Sequence, residues 1–318
     1  MLTYLIILLD DTSSSYCHYE VTKTERRLIS IEHLRAGILF AMKENLNIQF
    51  VFPDYELPFE YQEAIESIDH TKIKPVIQAK DADVIVLDNW TDEVPNGATC
   101  IIRCKREELA AHLSEAKCLL EKVERLNVTL TDVETFIDDD IDDYAKLLDE
   151  LTDNIANLNA KGKIVQLNLL TDRMLLTEMN NCDAGVKNIT LAPNGRFYLC
   201  PAFYYEDAMN DVGDLDSGPL VKNQQLLRLD HAPLCRQCDA YQCKRCVWQN
   251  QRLTLDANTP SHQQCVMAHL ERNASRQLLA KLRLKGVTLR DSHEIKEIEY
   301  LDPFIKFNRW KQERLWGK

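Results

Sequence analysis

The segment Cys235-Arg-Gln-Cys238-Asp-Ala-Tyr-Gln-Cys243-Lys-Arg-Cys246 gathers four cysteines into a short stretch of this chain. Three more flank it, at Cys182, Cys200 and Cys265, so that seven of the eleven cysteines lie in the second half. Thiolate is a soft ligand for zinc and for the iron of iron–sulfur clusters, and a two-residue spacer lets both sulfurs of a pair reach one centre. The spacing therefore predicts a metal-binding domain that extends from Cys182 to Cys265.

A disulfide framework is the other common use of clustered cysteines, and it needs an oxidising compartment. Met1 leads straight into the strand-like run Thr3-Tyr-Leu-Ile-Ile-Leu-Leu9, without the basic region and cleavage site of a signal peptide. We therefore expect a cytoplasmic protein whose thiols are reduced and available to a metal.

The cysteine count favours iron–sulfur clusters over zinc. Seven cysteines supply one four-thiolate site and one three-thiolate site whose fourth ligand is open or foreign. Spacers of two, four and two residues also differ from most zinc ribbons, whose cysteine pairs stand about 12 or more residues apart. Zinc is the alternative metal.

The order of these cysteines, with Gly195 between the first two, resembles the SPASM domain. This is the auxiliary-cluster domain that follows the barrel in radical-SAM enzymes that modify peptides. Two other segments fit the resemblance: Pro193-Asn-Gly-Arg-Phe-Tyr-Leu-Cys200, which is typical of a turn and a strand, and the short segment Gly213-Asp-Leu215.

The resemblance implies two 4Fe-4S auxiliary clusters. Cys182, Cys200 and Cys246 would hold the barrel-side cluster, and Cys235, Cys238, Cys243 and Cys265 would hold the other. The spacers on either side of Cys243 are each one residue shorter than in the family pattern. Which of the two clusters Cys243 binds, and which Cys246 binds, is therefore left open.

The composition restricts the classes of partner. The chain has 318 residues, 45% of them apolar and 28% charged, as expected for an ordinary globular protein with two domains. Its 38 bases and 50 acids give a formal net charge of -12, which disfavours nucleic-acid binding because that depends on a basic face. The apolar runs are shorter than the roughly 18 residues of a membrane-spanning helix, so we expect no membrane association.

The negative charge is concentrated between Asp132 and Asp153. Apolar residues recur at helical spacing from Ile137 to Ile155, which predicts an amphipathic helix with a solvated acidic face. A docking surface for a basic partner is the alternative interpretation.

The first half of the chain alternates β-rich runs with amphipathic helices. Strands are expected over 3–9, 48–52, 84–87, 100–103, 126–130 and 163–169, and helices from Ser30, near 59–68, over 107–121 and in the acidic segment. This alternation predicts βα units around a parallel sheet. Six strands fit a partial barrel. Together with the family resemblance, this gives the expected fold class: α/β, a partial (βα)6 barrel that resembles the radical-SAM barrel, followed by a small cysteine-rich SPASM domain.

The loop after the first predicted strand departs from the radical-SAM pattern. Barrels of that kind carry a C-x3-C-x2-C cluster motif there; in this chain Cys17 matches its third cysteine, while Asp10 and Ser14 stand at the other two positions. Carboxylate and hydroxyl are hard ligands that suit a sulfide-bridged cluster poorly. The usual chemistry is therefore unsupported at this loop, and binding of S-adenosylmethionine stays open.

Cys100 and Cys104 have the spacing of the first two cysteines of that motif, but Glu107 stands in the third place. We interpret both as small apolar residues of a buried strand. Cys118, in a predicted helix, has the same kind of structural interpretation.

Three segments of the first half, together with the cysteine domain, resemble the CXXX repeat peptide maturases. They are Leu2-Thr-Tyr-Leu-Ile-Ile-Leu-Leu-Asp-Asp-Thr-Ser13, Glu44-Asn-Leu-Asn-Ile-Gln-Phe-Val-Phe-Pro-Asp-Tyr-Glu-Leu-Pro58 and Gln166-Leu-Asn-Leu-Leu-Thr-Asp172. The resemblance implies a barrel over 1–176, a SPASM domain over 177–270, and a C-terminal helix with an aromatic and basic tail over 271–318. It also implies a role in maturing a cysteine-rich ribosomal peptide, with the precursor as partner.

Two other functions stay open because the sequence identifies no catalytic residue. One is a catalytically inactive recognition subunit that works with a separate modifying enzyme. The other is a zinc-stabilised scaffold. The tail, which carries Phe304, Phe307, Trp310 and Trp316, would pack on the barrel or hold a peptide.

Overall fold

The structure, a computed structural model, describes residues 2–179, 181–243, 246–289 and 291–295. Its contacts divide the chain into two compact units, and each unit combines segments from distant parts of the sequence. The first unit contains Met1–Arg103, Thr129–Thr131 and Asp183–Arg228; the second contains Cys104–Val128, Asp132–Cys182 and Leu229–Lys318. The division into 1–176, 177–270 and 271–318 stays a prediction.

The described residues form an alternating series of strands and helices. The strands are β1 (Tyr4–Leu8), β2 (Asn47–Val51), β3 (His70–Pro75), β4 (Val84–Leu87), β5 (Thr99–Cys104), β6 (Arg125–Leu130), β7 (Gln166–Leu167), β8 (Asn188–Leu191), β9 (Phe197–Tyr198), β10 (Gly213–Asp214) and β11 (Gly218–Pro219). The helices are α1 (Ile31–Glu44), α2 (Phe59–Glu66), α3 (Arg106–Ala111), α4 (Leu113–Lys122), α5 (Ile141–Ala160), α6 (Asp172–Leu175), α7 (Pro201–Glu206), α8 (Val247–Thr254) and α9 (His262–Leu284).

The first unit is built on a sheet with the strand order β5-β4-β3-β2-β1-β8-β9. Neighbouring strands in this order are parallel, except that β9 is antiparallel to β8. Leucine, isoleucine and phenylalanine side chains of β1, β2 and β8 are buried with those of α1 and α2 in one apolar core. Each fully buried side chain of this kind contributes about 1.5–3 kcal/mol, so the apolar runs read from the sequence are what hold the sheet together.

Helix α1 begins where the sequence predicts it. The Ser30 side chain accepts a hydrogen bond from the His33 backbone N–H at 3.1 Å and so caps the helix. Gly37 faces β8 so closely that an added Cβ would lie 2.5 Å from a methyl carbon of Leu191. Glycine therefore lets α1 approach the sheet at this point without displacing the Leu191 side chain.

In the second unit, β6 and β7 are parallel and the long helices α5 and α9 pack together. Tyr144, Leu148, Leu151 and Ile155 of α5 are buried, which confirms the apolar stripe of the acidic segment. On the solvated side, Lys281 of α9 lies 2.8 Å from carboxylate oxygens of both Asp149 and Asp153. These acidic side chains are thus part of the packing of the two helices.

The structure corrects the sequence-based assignment of elements in three places. Strand β3 was missed, so six strands are too few for the sheet, and the connection from β3 to β4 contains a 3-10 turn (Val76–Gln78) instead of an α-helix. The helix predicted over 107–121 is two helices, α3 and α4, that meet at His112. The acidic helix begins at Ile141, after a 3-10 turn, which leaves Ile137 exposed.

Two further expectations concern the end of the chain and the membrane. Helix α9 ends at Leu284, and Gly286 follows with φ +69, the left-handed conformation that glycine commonly adopts after a helix. The aromatic tail from Phe304 to Trp316 lies outside the described residues. Among the described helices, none combines the length and the apolar character needed to cross a bilayer.

Candidate metal centre

Four of the cysteines predicted as ligands line one cavity of the second unit. Cys235, Cys238 and Cys243 come from the loop after β11, and Cys265 comes from the first turn of α9. The cavity has a volume of about 340 Å³, and its remaining lining is mostly apolar, with two histidines. The structure therefore brings together residues that are up to thirty positions apart in the sequence.

Local hydrogen bonds fix how these cysteines reach the cavity. The backbone N–H of Cys238 donates to the carbonyl of Cys235 at 3.1 Å, which closes a tight turn between the two thiols. Ser261 caps α9, and its backbone N–H donates to the Gln264 side chain at 2.7 Å, so that the helix starts just before Cys265. Residues four apart on a helix share a face, which also directs His269 into the cavity.

Asp239 anchors the loop that carries the first three cysteines. Its carboxylate lies 2.7 Å from a guanidinium nitrogen of Arg272, and both side chains are almost completely buried. The carbonyl of the same residue accepts a bond of 2.5 Å from Arg173, whose guanidinium also stacks over the ring of Tyr241 at 3.9 Å. A buried ion pair of this kind resists disruption, because removing one partner leaves an uncompensated charge.

Burial disfavours the free thiolate of Cys265. It raises the pKa of Cys265 from 9.0 to about 12, and the neighbouring sulfurs of Cys235 and Cys238 add to the rise. A bound metal supplies the positive charge that such a thiol needs in order to lose its proton. Cys265 therefore suits a metal ligand better than a free nucleophile.

His269 lies beside one of these sulfurs. Its Nε2 is 3.3 Å from Sγ of Cys238, which also accepts the backbone N–H of Ala240 at 3.4 Å. Cys238, Asp239 and His269 each bring a ligand atom within 4.8 Å of the other two. Sequence analysis missed His269, although its position four residues after Cys265 was a usable signal.

The other three predicted ligands are divided between the units. Cys200 belongs to the first unit and immediately precedes α7, whereas Cys182 and Cys246 belong to the second. Cys246 precedes α8 in the same way. Their role as a shared ligand set stays a prediction. The predicted turn and strand before Cys200 are confirmed as the β8–β9 hairpin, with Gly195 at φ +78 in the turn.

The loop after β1, where the radical-SAM pattern has its cluster motif, is held by polar side chains of the first unit. Asp10 is completely buried, and its carboxylate accepts bonds from the backbone and hydroxyl of Thr12 at 2.8 and 2.6 Å and from the Tyr55 hydroxyl at 2.8 Å. Ser13, also buried, donates to the carbonyl of Val51 at 2.8 Å. The Asp10 carboxylate thus has a structural use that fixes the loop.

The next acidic residue, Asp11, is neutralised by bases. Arg27 and Lys23 lie 3.2 and 3.9 Å from its carboxylate oxygens, and Tyr204 donates a hydrogen bond to it. Burial and the bond to Asp11 raise the pKa of Tyr204, so its hydroxyl stays protonated and remains a donor. Sequence analysis missed Tyr55, Arg27 and Tyr204 because these partners of the loop lie far away in the sequence.

The remaining cysteines of the first half differ in burial, and the structural interpretation is confirmed for Cys100 and Cys104 but is wrong for the exposed Cys118. The carbonyl of Cys17 accepts a bond of 2.6 Å from Arg103. Cys100 and Cys104 are buried in β5, which confirms their interpretation as strand residues, and burial raises the pKa of Cys100 from 9.0 to about 11. Cys118 is exposed on α4.

Comparison with known proteins reveals a likeness of fold. No protein-family model matches the chain, and no curated protein matches it. Native anSMEcpe with bound AdoMet is similar in structure, with a TM-score of 0.58, 13% sequence identity and coverage of 89% of this chain and 99% of that chain. Native anSMEcpe with bound AdoMet and Cp18Cys peptide gives the same TM-score and identity, with coverage of 90% and 99%.

At this identity the likeness shows the fold and no more. The protein has a mixed α/β fold with mainly parallel strands, similar to that of anSMEcpe, and this confirms the α/β class predicted from the sequence.

Proposed function

We propose that this chain is a maturation protein for a cysteine-rich, CXXX-repeat ribosomal peptide, which it binds while holding two auxiliary 4Fe-4S clusters. The observation that carries the proposal is the cavity of the second unit, where Cys235, Cys238, Cys243 and Cys265 converge. The fold likeness to anSMEcpe supports the same general class. The sequence resemblance supplies the peptide as the substrate class.

The size and lining of the cavity favour an iron–sulfur cluster over a single zinc ion. Zinc binds four ligands at about 2.0–2.3 Å and fills the space between them. A volume of about 340 Å³ would hold on the order of ten water molecules at about 30 Å³ each. A zinc site on Cys238, Asp239 and His269 would have to compete with Arg272 for the Asp239 carboxylate.

The predicted barrel-side cluster is the one that would bind the peptide. Cys182, Cys200 and Cys246 supply three thiolates, so one iron of their cluster would be open to a thiolate of the substrate. A peptide with a cysteine at every fourth position offers such thiolates repeatedly. The structurally similar anSMEcpe binds the Cp18Cys peptide, and we propose that this chain likewise binds a peptide that contains cysteine.

A second candidate function is a recognition subunit that binds the precursor for a separate modifying enzyme. It is favoured by the loop after β1, where the Asp10 carboxylate is bonded to Thr12 and Tyr55 and so is committed to the fold of the loop. In this case the clusters of the second unit would have a structural or substrate-binding role.

Metal and sulfide analysis of anaerobically purified full-length protein tests the cluster part of the proposal. We expect roughly seven to eight irons per chain, a matching amount of acid-labile sulfide and broad absorbance near about 400 nm. One or two zinc ions without labile sulfide would contradict the proposal and favour the zinc-stabilised scaffold.

A pair of matched peptides tests the substrate class. A synthetic peptide of repeated Cys-x-x-x units should bind the cluster-loaded protein more tightly than the same peptide with serine at each cysteine. Equal binding of the two peptides contradicts thiol recognition. Formation of 5'-deoxyadenosine from S-adenosylmethionine under strong reduction would separate the two candidates, because only an active maturase should produce it.

A further inference from the structure

The lining of the thiol cavity includes one buried histidine, His269, besides the cysteines. His269 is 3% exposed and projects from α9, whereas the other lining histidine, His262, is exposed at the start of the same helix. A buried imidazole needs polar partners, since leaving its nitrogens unsatisfied costs about 1–3 kcal/mol. The sulfur of Cys238 is 3.3 Å from its Nε2.

Two nitrogen atoms lie close to one sulfur of the cavity. Cys238 Sγ is 3.3 Å from Nε2 of the His269 ring and accepts the backbone N–H of Ala240 at 3.4 Å. Negative charge on a cluster would therefore be stabilised at Cys238 by any N–H that points to its sulfur.

We propose that His269 donates its Nε2–H to the Cys238 thiolate and thereby raises the reduction potential of the cluster in this cavity. The inference rests on the cluster assignment made under the proposed function. Reduction adds one negative charge to the cluster, and a hydrogen bond to a ligand sulfur stabilises the more negative state. His269 is on this view a positioning residue that acts through Cys238.

The geometry explains why the imidazole is held in place for this role. His269 lies one helical turn after Cys265, so one rigid face of α9 carries both a predicted ligand and the donor to another ligand. One turn further, Arg272 of the same helix binds Asp239, the residue after Cys238. The helix and the ligand loop are thereby joined at the residue next to Cys238, which limits how far Nε2 and Sγ can move apart.

The test uses the full chain, prepared anaerobically, in wild-type form and as His269→Leu, His269→Gln and the control His262→Leu. Iron and sulfide are measured first, and each midpoint potential is then determined by EPR-monitored redox titration. We expect unchanged iron in all variants and a lower midpoint for one cluster in His269→Leu. The expected size is about a tenfold loss in the equilibrium constant for reduction, or ~59 mV for one electron. The amide donor of His269→Gln should restore part of the shift, and His262→Leu should cause none.

Three outcomes would overturn the inference. Unchanged potentials in iron-replete His269→Leu would show that the bond has no electronic effect. Loss of one cluster from both His269 variants, with circular dichroism unchanged, would make His269 a ligand. An equal shift in His262→Leu would assign the effect to general polarity of the cavity.

A measurement on the wild-type protein covers the case in which the His269 variants do not fold. With ¹⁵N-labelled histidine, pulsed EPR of the reduced cluster should detect a weak nitrogen coupling transmitted through the sulfur. A strong coupling typical of a metal-bound ring, or none, would contradict the inference. Absence of iron from the wild-type protein is a separate result, which refutes the cluster assignment before any potential is measured.

Discussion

The loop after β1 and the cavity in the second unit are two places where the sequence resemblance would put metal clusters, and they differ in how their side chains are used. In the loop, the Asp10 carboxylate accepts three hydrogen bonds from Thr12 and Tyr55. In the cavity, four thiols border a volume of about 340 Å³. The difference teaches that a residue's type makes it a possible ligand, while its existing bonds and the space in front of it determine whether a metal can be held.

The largest expected effect is the loss of one cluster on removal of a cavity thiol. Cys238→Ala should remove roughly half of the iron and lower the thermal midpoint strongly, because metal binding at such sites is coupled to folding. Cys118→Ala, at an exposed position of α4, is the matched control and should change neither. Equal iron content and equal thermal stability of the two variants would show that Cys238 is not a metal ligand, and the cavity would then differ no more than the loop after β1 from an ordinary part of the protein.

Asp239→Ala tests the anchor of the ligand loop. The substitution leaves Arg272 buried without its counter-charge, for which about 3–5 kcal/mol of stability is the expected loss. The control is Glu150→Ala, which removes a largely exposed pair with Lys117 and should cost about 0–1 kcal/mol. Urea unfolding of the metal-loaded proteins measures both, and similar costs would mean that the Asp239–Arg272 pair does not hold the loop.

In the first unit, Asp10→Ala should reduce stability without affecting iron. The half-buried Thr12 and Tyr55 donors would lose the buried Asp10 carboxylate as their acceptor, at a cost of about 1–3 kcal/mol. Asp54→Ala breaks an exposed pair with Arg26 and serves as the reference, with an expected change of about 0–1 kcal/mol. A fall in iron content with Asp10→Ala would reveal a metal at the loop and make the two regions alike.

The smallest effect concerns the reactivity of Cys100. Its pKa is raised from 9.0 to about 11 by burial, so the thiol stays protonated as the pH passes 9 and its thiolate fraction near pH 8 is about 100-fold lower than at an ordinary site. Alkylation between pH 7 and 10, followed by peptide mass spectrometry, should label Cys118 and leave Cys100 unmodified. Rapid labelling of Cys100 in folded protein would show that β5 is open to solvent.

The apolar periodicity predicted most of the first unit because its strands are buried on both sides. Strand β3 was missed since its sequence, His70-Thr-Lys-Ile-Lys-Pro75, contains two lysines and a proline, and its pairing with β2 and β4 overrides that composition. The helix over 107–121 was predicted as one because both parts continue the same apolar pattern. A change of direction at His112 leaves no signal in that periodicity.

The candidate ligands were predictable from the sequence because they are cysteines, a distinctive residue type, and because most of them lie close together in the chain. The cysteine spacing indicated four of the residues that line the cavity. The supporting contacts were not predictable: Tyr204 and Asp11 are separated by 193 positions, and Arg272 and Asp239 by 33. Tyrosine, aspartate and arginine are common residues, and at such separations no sequence spacing indicates which of them will be in contact.

The position of β8 has a consequence for how the chain is made on the ribosome. Strand β1 lies between β2 and β8, so the residues that cover its second edge, Asn188–Leu191, are synthesised long after Tyr4–Leu8. At 5–20 residues per second this interval lasts roughly 10–40 s. During that time β1 is a hydrophobic strand with an unpaired edge, the kind of edge that pairs with other chains. Nascent chains stalled before residue 188 should therefore depend on chaperones more than chains stalled after β9.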